Sequence, residues 1–247
     1  MRTSDVARAV GVHPNTVRLY ESWGLLPPIP RAPNGYRMYT QNHVDQMRLA
    51  RLAMRITWLG GTIRKQALSV VYSGVAGDLD ASLAQAMALQ DLIRAEIAYA
   101  HAAVDVLERW AQGRDPLSEL NAPMTIGQVA QYMSVTPDML RGWERNGLLV
   151  VPRDPVNRYR QYGPAEVDRL RVIRALRKAG YSVMAILRMM LAFDRGQRGD
   201  LRVVLDTPRP DEDARYATDR WISALAEVES ASQAIIDHLY AMMSDPR

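Results

Sequence analysis

Val17-Arg18-Leu19-Tyr20-Glu21-Ser22-Trp23-Gly24-Leu25-Leu26 decides how the chain is read, because the stretch returns as Leu140-Arg141-Gly142-Trp143-Glu144-Arg145-Asn146-Gly147-Leu148-Leu149. Each copy reads as a short helix opened by a proline (Pro14, Pro137) and closed by a glycine (Gly24, Gly147) ahead of two leucines. Proline fits a first helical turn, where its missing N–H has no partner to lose. Glycine fits the residue past the end because it accepts a positive φ. Between these brackets stand an arginine and, two residues on, an aromatic ring: Arg18 with Tyr20, and Arg141 with Trp143. A forked donor beside a flat surface suits a helix that reads the major groove. One copy alone is equally compatible with an ordinary amphipathic surface helix; two copies in the same longer pattern argue against it.

That longer pattern is an internal duplication. A shift of 123 positions carries Val6, Ala7, Val12 and Pro14 onto Val129, Ala130, Val135 and Pro137, and Asn34, Tyr36, Arg37 and Tyr39 onto Asn157, Tyr159, Arg160 and Tyr162. It also carries Val44, Arg48, Arg51 and Ile63 onto Val167, Arg171, Arg174 and Ile186. The register holds without a gap over about seventy residues, which marks a repeated unit.

The 247 residues include 48% apolar and 23% charged side chains, a globular balance with nothing approaching a membrane-spanning run. No exported leader is visible, so a cytoplasmic location is expected. Without cysteine there is no disulfide, thiolate metal site or cysteine nucleophile. His13, His43, His101 and His238 are scattered and read as surface residues. The net charge of +4 conceals segregation: residues 1–72 and 122–199 each carry +7, residues 73–121 and 200–247 each −5. Two basic modules alternate with two acidic elements, and a basic module favours a polyanionic partner.

Within each module a short amphipathic helix precedes the arginine-bearing one. Thr125 and Gln128 form a capping box in the second copy, and Thr3 or Ser4 serves in the first. Tight turns at Gly11-Val12 and Ser134-Val135 complete a helix-turn-helix. A Pro- and Arg-rich segment (Pro27 to Pro33, Val150 to Pro155) then leads into β-type pieces around Asn34-Gly35 and Asn157-Arg158, a wing. Its Tyr-Arg-x-Tyr order is read as setting both tyrosines on one face and the arginine on the other, towards phosphate. A two-helix unit follows: in the second copy a helix runs from Pro164 to Gly180, and Ser182 caps another through Leu191. Thr57 and Gly60-Gly61 distort the matching corner of the first copy. Leu79, Leu83, Ala86, Gln90, Ile93, Ile97, Ala100, Val104, Leu107 and Ala111 recur at 4-3 spacing, as do Ala214, Thr218, Trp221, Leu225, Val228, Ser232, Ile235, Leu239 and Met242. Sustained 4-3 spacing is a coiled-coil seam. The expected fold is mainly α: two winged helix-turn-helix modules (residues 1–72 and 124–195), each followed by a long coiled-coil-type helix (79–112 and 211–243).

Thr16-Val17-Arg18-Leu19-Tyr20-Glu21, Gly24-Leu25-Leu26, Gly35-Tyr36-Arg37-Met38-Tyr39, the two-helix unit and the long helix together resemble the MerR family of bacterial transcription regulators, in tandem. The resemblance implies a recognition helix in the major groove, a wing on the backbone and an antiparallel coiled coil pairing two units. The candidate DNA contacts are Asn15, Thr16, Arg18, Tyr20, Arg31, Gly35, Tyr36, Arg37 and Tyr39 in the first copy. In the second they are Arg141, Trp143, Arg153, Arg158, Tyr159, Arg160 and Tyr162. The second copy departs from the pattern: Trp143 replaces a tyrosine, Gly142 stands for Leu19, and Arg158 replaces the wing glycine. Its half-site is expected to differ.

These readings point to a sequence-specific regulator of double-stranded DNA that distorts its promoter, with RNA polymerase as a further partner. It is expected as a monomeric pseudo-dimer or a homodimer, with no membrane association. No cofactor, metal or catalytic constellation is expected, and the effector is unknown. Two alternatives are an architectural or segregation protein, and a drug-binding regulator using Trp110, Trp221, Tyr99, Tyr216 and Tyr240 between the long helices.

Overall fold

A computed structural model of the chain describes residues 1–114, 122–208 and 217–244. The described residues are mainly helical: α1 (Thr3–Val10), α2 (Pro14–Ser22), α3 (Gln41–Met54), α4 (Gly61–Val75), α5 (Leu79–Ala111), α6 (Ile126–Tyr132), α7 (Pro137–Arg145), α8 (Pro164–Lys178), α9 (Val183–Asp194), α10 (Leu201–Asp206) and α11 (Trp221–Ser244). They form two compact units. One comprises Met1–Ala95 with Leu225–Arg247, the other Glu96–Ala224, so α5 and α11 each contribute residues to both.

In the first unit, α1 is capped by the Asp5 carboxylate, which accepts the Arg2 backbone N–H at 2.7 Å, one residue ahead of the expected caps. Gly11, at φ 66°, turns the chain into α2. His43 corrects the surface reading of the histidines. It is buried, and its Nδ1 accepts the Thr40 backbone N–H at 3.0 Å to cap α3. The corner after α3 is distorted as expected: a 3₁₀ turn, Thr57–Leu59, leads into Gly60 and Gly61, both at positive φ. Val17, Leu25, Met47, Leu49 and Ile56 fill the core. The first half of α5 lies antiparallel to α11, with Gln90 Nε2 donating to Gln233 Oε1 at 2.8 Å and Arg94 pairing with Glu229 at 3.6 Å. His238 of α11 reaches the Asp45 carbonyl of α3 at 2.8 Å.

The second unit repeats the plan. Thr125 and Gln128 make the expected box, Ser134 takes the turn at φ 49°, and the Ser182 hydroxyl accepts the Ala185 N–H at 2.9 Å to start α9. Leu140, Leu148, Leu170, Ile173 and Tyr181 are fully buried. Gly180, at φ 100°, lies so close to the Trp221 ring that a Cβ there would come within 2.7 Å of it. Between α9 and α11 the short helix α10 buries Leu201 and Leu205. Buried Arg188 holds it, donating to the carbonyls of Val204, Leu205 and Asp219 at 2.7–2.9 Å. On the predicted seams Ala86, Gln90, Ile93, Ala100, Val104, Leu107 and Ala111 are buried, as are Trp221, Leu225, Val228, Ser232, Ile235 and Leu239. The expected start of the C-terminal helix at 211, Ala214 and Tyr216 lie outside the described residues.

The β-type pieces do not extend into strands among the described residues. Each loop makes one antiparallel bridge, Arg31 with Arg37 and Arg153 with Arg160. Each module also pairs its first residues with the end of its loop. Met1 exchanges two hydrogen bonds with Tyr39, and Met124 does the same with Tyr162. No helix among the described residues is long and apolar enough to cross a membrane.

Candidate nucleic-acid interface

The arginine-bearing helices are held at both ends. His13 Nδ1 accepts the Asn15 N–H at 3.2 Å ahead of α2, and Thr136 Oγ1 accepts the Met139 N–H at 3.2 Å ahead of α7. Gly24 and Gly147, at φ 70° and 75°, let Leu25 and Leu148 bond back to the carbonyls of Tyr20 and Trp143 at 3.0 Å. Arg18 and Arg141 are exposed on the outer face. Arg18 Nη1 touches Asn15 Oδ1 at 3.4 Å, whereas Arg141 is paired with the Asp138 carboxylate at 2.6 Å. Asn15 is exposed and Thr16 half-buried.

Tyr20 and Trp143 correct the expectation of an outward ring: they are only 9% and 6% exposed and pack inward with Val17 and Leu140. Residues two apart on a helix are rotated by about 200°, so a ring two residues from an outward arginine faces the core. Burial raises the Tyr20 hydroxyl above its usual range, against the opposing charge of Arg51. The exposed ring is Trp23, stacked on Tyr20 at 5.8 Å.

Beside each helix the loop is turned by Gly35 (φ 80°) or Arg158 (φ 63°). Arg31 bonds the Gly35 carbonyl at 3.1 Å and Arg153 the Arg158 carbonyl at 3.3 Å, both from exposed positions. Tyr36 and Tyr159 project outward, 68% and 72% exposed, while Tyr39 and Tyr162 are buried. The reading of both tyrosines on one face is therefore corrected. Residues three apart on extended backbone face opposite sides. Arg37 and Arg160 are also not turned freely outward. Arg37 Nε bonds both Glu21 oxygens at 3.0 and 2.7 Å, and Arg160 Nε bonds Glu144 at 2.7 Å. That hydrogen bond raises the Arg160 pKa. Burial, then the Glu144 charge, raise Tyr162 against Arg160 and Arg141. Each loop is thus clamped to its helix through an ion pair at the same register.

Each helix also borders a basic cleft that sequence reasoning missed. In the first unit a space of about 600 Å³ is lined by Tyr20, Arg48, Arg51 and Arg55. In the second, about 540 Å³ is lined by Trp143, Arg174, Arg177 and Lys178. Arg51 bonds the Val10 carbonyl at the helix-turn-helix corner, Arg48 pairs with Asp45 at 3.2 Å, and Arg177 donates to the Tyr181 carbonyl at 2.6 Å. The available signal was three-to-four-residue spacing of cations on the helix after the loop.

The aromatic residues of the drug-binding alternative have separate partners. Trp110 stacks on Phe193, Trp221 packs on Gly180, and Tyr99 lies under Lys178, all in the second unit. Tyr240 belongs to the first unit, where it is exposed. No group of His, Asp or Glu among the described residues is arranged to hold a metal ion.

The chain matches the model of the MerR HTH family regulatory protein over residues 1–55 and again over 124–192. It is similar to the HTH-type transcriptional regulator CueR of Escherichia coli, 43% identical over 56 residues, which are 23% of this chain and 42% of the relative. CueR of Yersinia pestis is 39% identical over 56 residues, 23% of this chain and 40% of that protein. The mercuric resistance operon regulatory protein of Pseudomonas fluorescens is 33% identical over 67 residues, 27% and 46% respectively. The chain therefore covers less than half the length of each relative. No solved structure matches it. With the family's domain present twice, over half of its length, the chain belongs to the MerR helix-turn-helix family in a tandem arrangement.

Proposed function

We propose that the chain is a sequence-specific, double-stranded-DNA-binding transcription regulator with two winged helix-turn-helix modules, residues 1–72 and 124–195. The carrying observation is a repeated constellation: an outward arginine on a capped helix, with a loop pinned to that helix by Arg37–Glu21 or Arg160–Glu144. Arg18 and Arg141 read base edges from the groove. Arg31, Tyr36, Arg153, Arg158 and Tyr159 take phosphates of one strand, as do the guanidinium edges of Arg37 and Arg160. The basic clefts beside Tyr20 and Trp143 take the strand across the groove. The long helices (79–112 and 211–243) pair the modules as an intramolecular pseudo-dimer. The antiparallel contacts Gln90–Gln233 and Arg94–Glu229 support this. Distortion of promoter DNA, with RNA polymerase engaged there, is the mode of action this reading assigns, in the cytoplasm.

The test is selection of a preferred duplex, followed by affinity measurements on it and on a scrambled duplex. Arg18→Ala is expected to cost about 1–3 kcal/mol on the preferred duplex and much less on the scrambled one. Equal losses on both would reduce Arg18 to a phosphate contact. If the unmodified chain binds unrelated duplexes equally, the architectural reading replaces the regulator.

A further inference from the structure

The outward faces of the two arginine-bearing helices differ at one register in a way that the fold does not require. On α2, Asn15, Arg18, Leu19 and Ser22 are exposed, at the three- and four-residue spacings that share one helix face. Leu19, 43% exposed, is the apolar member of that face. At the same register α7 carries Asp138, Arg141, Gly142 and Arg145. The leucine is matched by no side chain at all.

A glycine inside a helix is destabilising relative to alanine, because it has more backbone freedom to lose. Two internal causes would justify it: a positive φ, or a neighbour too close for a Cβ. Gly142 has neither. It lies within α7, its carbonyl accepts the Asn146 N–H at 3.0 Å, and a Cβ there would meet no atom within 4 Å. Gly74 and Gly180 show the contrast, since a Cβ on either would come within 2.7 Å of a side chain. No packing among the described residues accounts for Gly142. It borders the cleft lined by Arg174, Arg177 and Lys178, with Arg141 and Arg145 exposed beside it. Such a surface attracts a polyanion, and a glycine lets a partner come close to the helix backbone.

We infer that this register sets a base preference that only one of the two helices has. Leu19 packs on the 5-methyl group of a thymine in the major groove, whereas Gly142 has no side chain to do so and seats the α7 backbone directly against the groove. The inference rests on the regulator reading above and assigns it a specificity-determining pair. Leucine offers no hydrogen bond, and the thymine methyl is the apolar group that base pairs display in the major groove. Burial of one such group corresponds to about fourfold in affinity. The half-site under α2 therefore demands a thymine where the half-site under α7 has no use for the methyl group.

The test is a uracil scan with the full chain. Each thymine of the preferred duplex is replaced in turn by deoxyuridine, which removes the methyl group and keeps every hydrogen-bonding group. One replacement is expected to weaken binding by the parent about fourfold. The same replacement should leave Leu19→Ala unaffected, because that variant has already lost the contact. Leu19 is exposed, so its variant keeps the unfolding temperature of the parent. Gly142→Ala is expected to raise the unfolding temperature while weakening binding about tenfold, as a Cβ enters a close contact. A scan in which no replacement distinguishes the parent from Leu19→Ala overturns the thymine contact. Gly142→Ala binding as tightly as the parent overturns the close seat of α7. A chain with no preferred duplex overturns the regulator reading and this inference with it. A preferred duplex that tolerates uracil throughout overturns this inference alone.

Discussion

Asp138 occupies the register of Asn15, three residues before the outward arginine of its helix. It is exposed and holds Arg141 at 2.6 Å. Under the proposed function the second helix therefore offers a duplex a neutralised arginine and an anion that repels phosphate. Asp138→Asn is expected to raise operator affinity by about 1 kcal/mol, the scale of an exposed pair. The slope of log K against log salt should steepen by about one as a further cation engages. A salt series of binding isotherms checks both, and unchanged values would place α7 away from the duplex. Ser134 sits at φ 49°, at the register of Gly11. Ser134→Gly is expected to stabilise the chain by up to about 1 kcal/mol in urea unfolding, because glycine pays no Cβ penalty in that region. The arginines and bracketing glycines were legible in the sequence because each demands a specific backbone or surface position. The facing of Tyr20 and Trp143 was misread because spacing along the chain was taken for spacing around the helix.

The helix and its loop act together through one ion pair. Glu21 and Arg37 are each about one-quarter exposed, at 26% and 28%, so the pair contributes modestly to stability. Its larger effect is to set where the loop stands beside α2. Glu21→Gln is expected to leave the unfolding temperature nearly unchanged while weakening operator binding. The double variant with Arg37→Ala should bind no worse than Arg37→Ala alone, since the two residues act as one unit. Additive losses in that cycle would mean that Arg37 and Glu21 serve independently. The long helices were legible because 4-3 spacing persists through many turns, and most residues at that spacing are buried, whereas Leu79, Leu83 and Ile97 are only half-buried. The short α10 was not, because six residues carry little periodicity and its carbonyls are held by Arg188, which lies sixteen residues before Val204. The basic clefts were missed for a related reason: their arginines come from helices separated in sequence from the aromatic ring they flank.

At the scale of the molecule, α11 meets α5 of its own chain through Gln233 and Glu229, and His238 extends that contact to α3. A seam satisfied within one chain leaves less surface for a second copy. Light scattering at micromolar concentration is expected to return the mass of one chain, 27.8 kDa. Twice that mass would indicate a dimer carrying four modules, and protection of more than two half-sites in footprinting would accompany it. A homodimer inherits every substitution in both of its readers at once, so its operator can change only symmetrically. In a one-chain pseudo-dimer each reader would have its own codons, and the pairs Asn15/Asp138, Gly11/Ser134 and Gly35/Arg158 show the two copies already drifting apart. Each half of the operator is then free to follow its own reader, one mutation at a time.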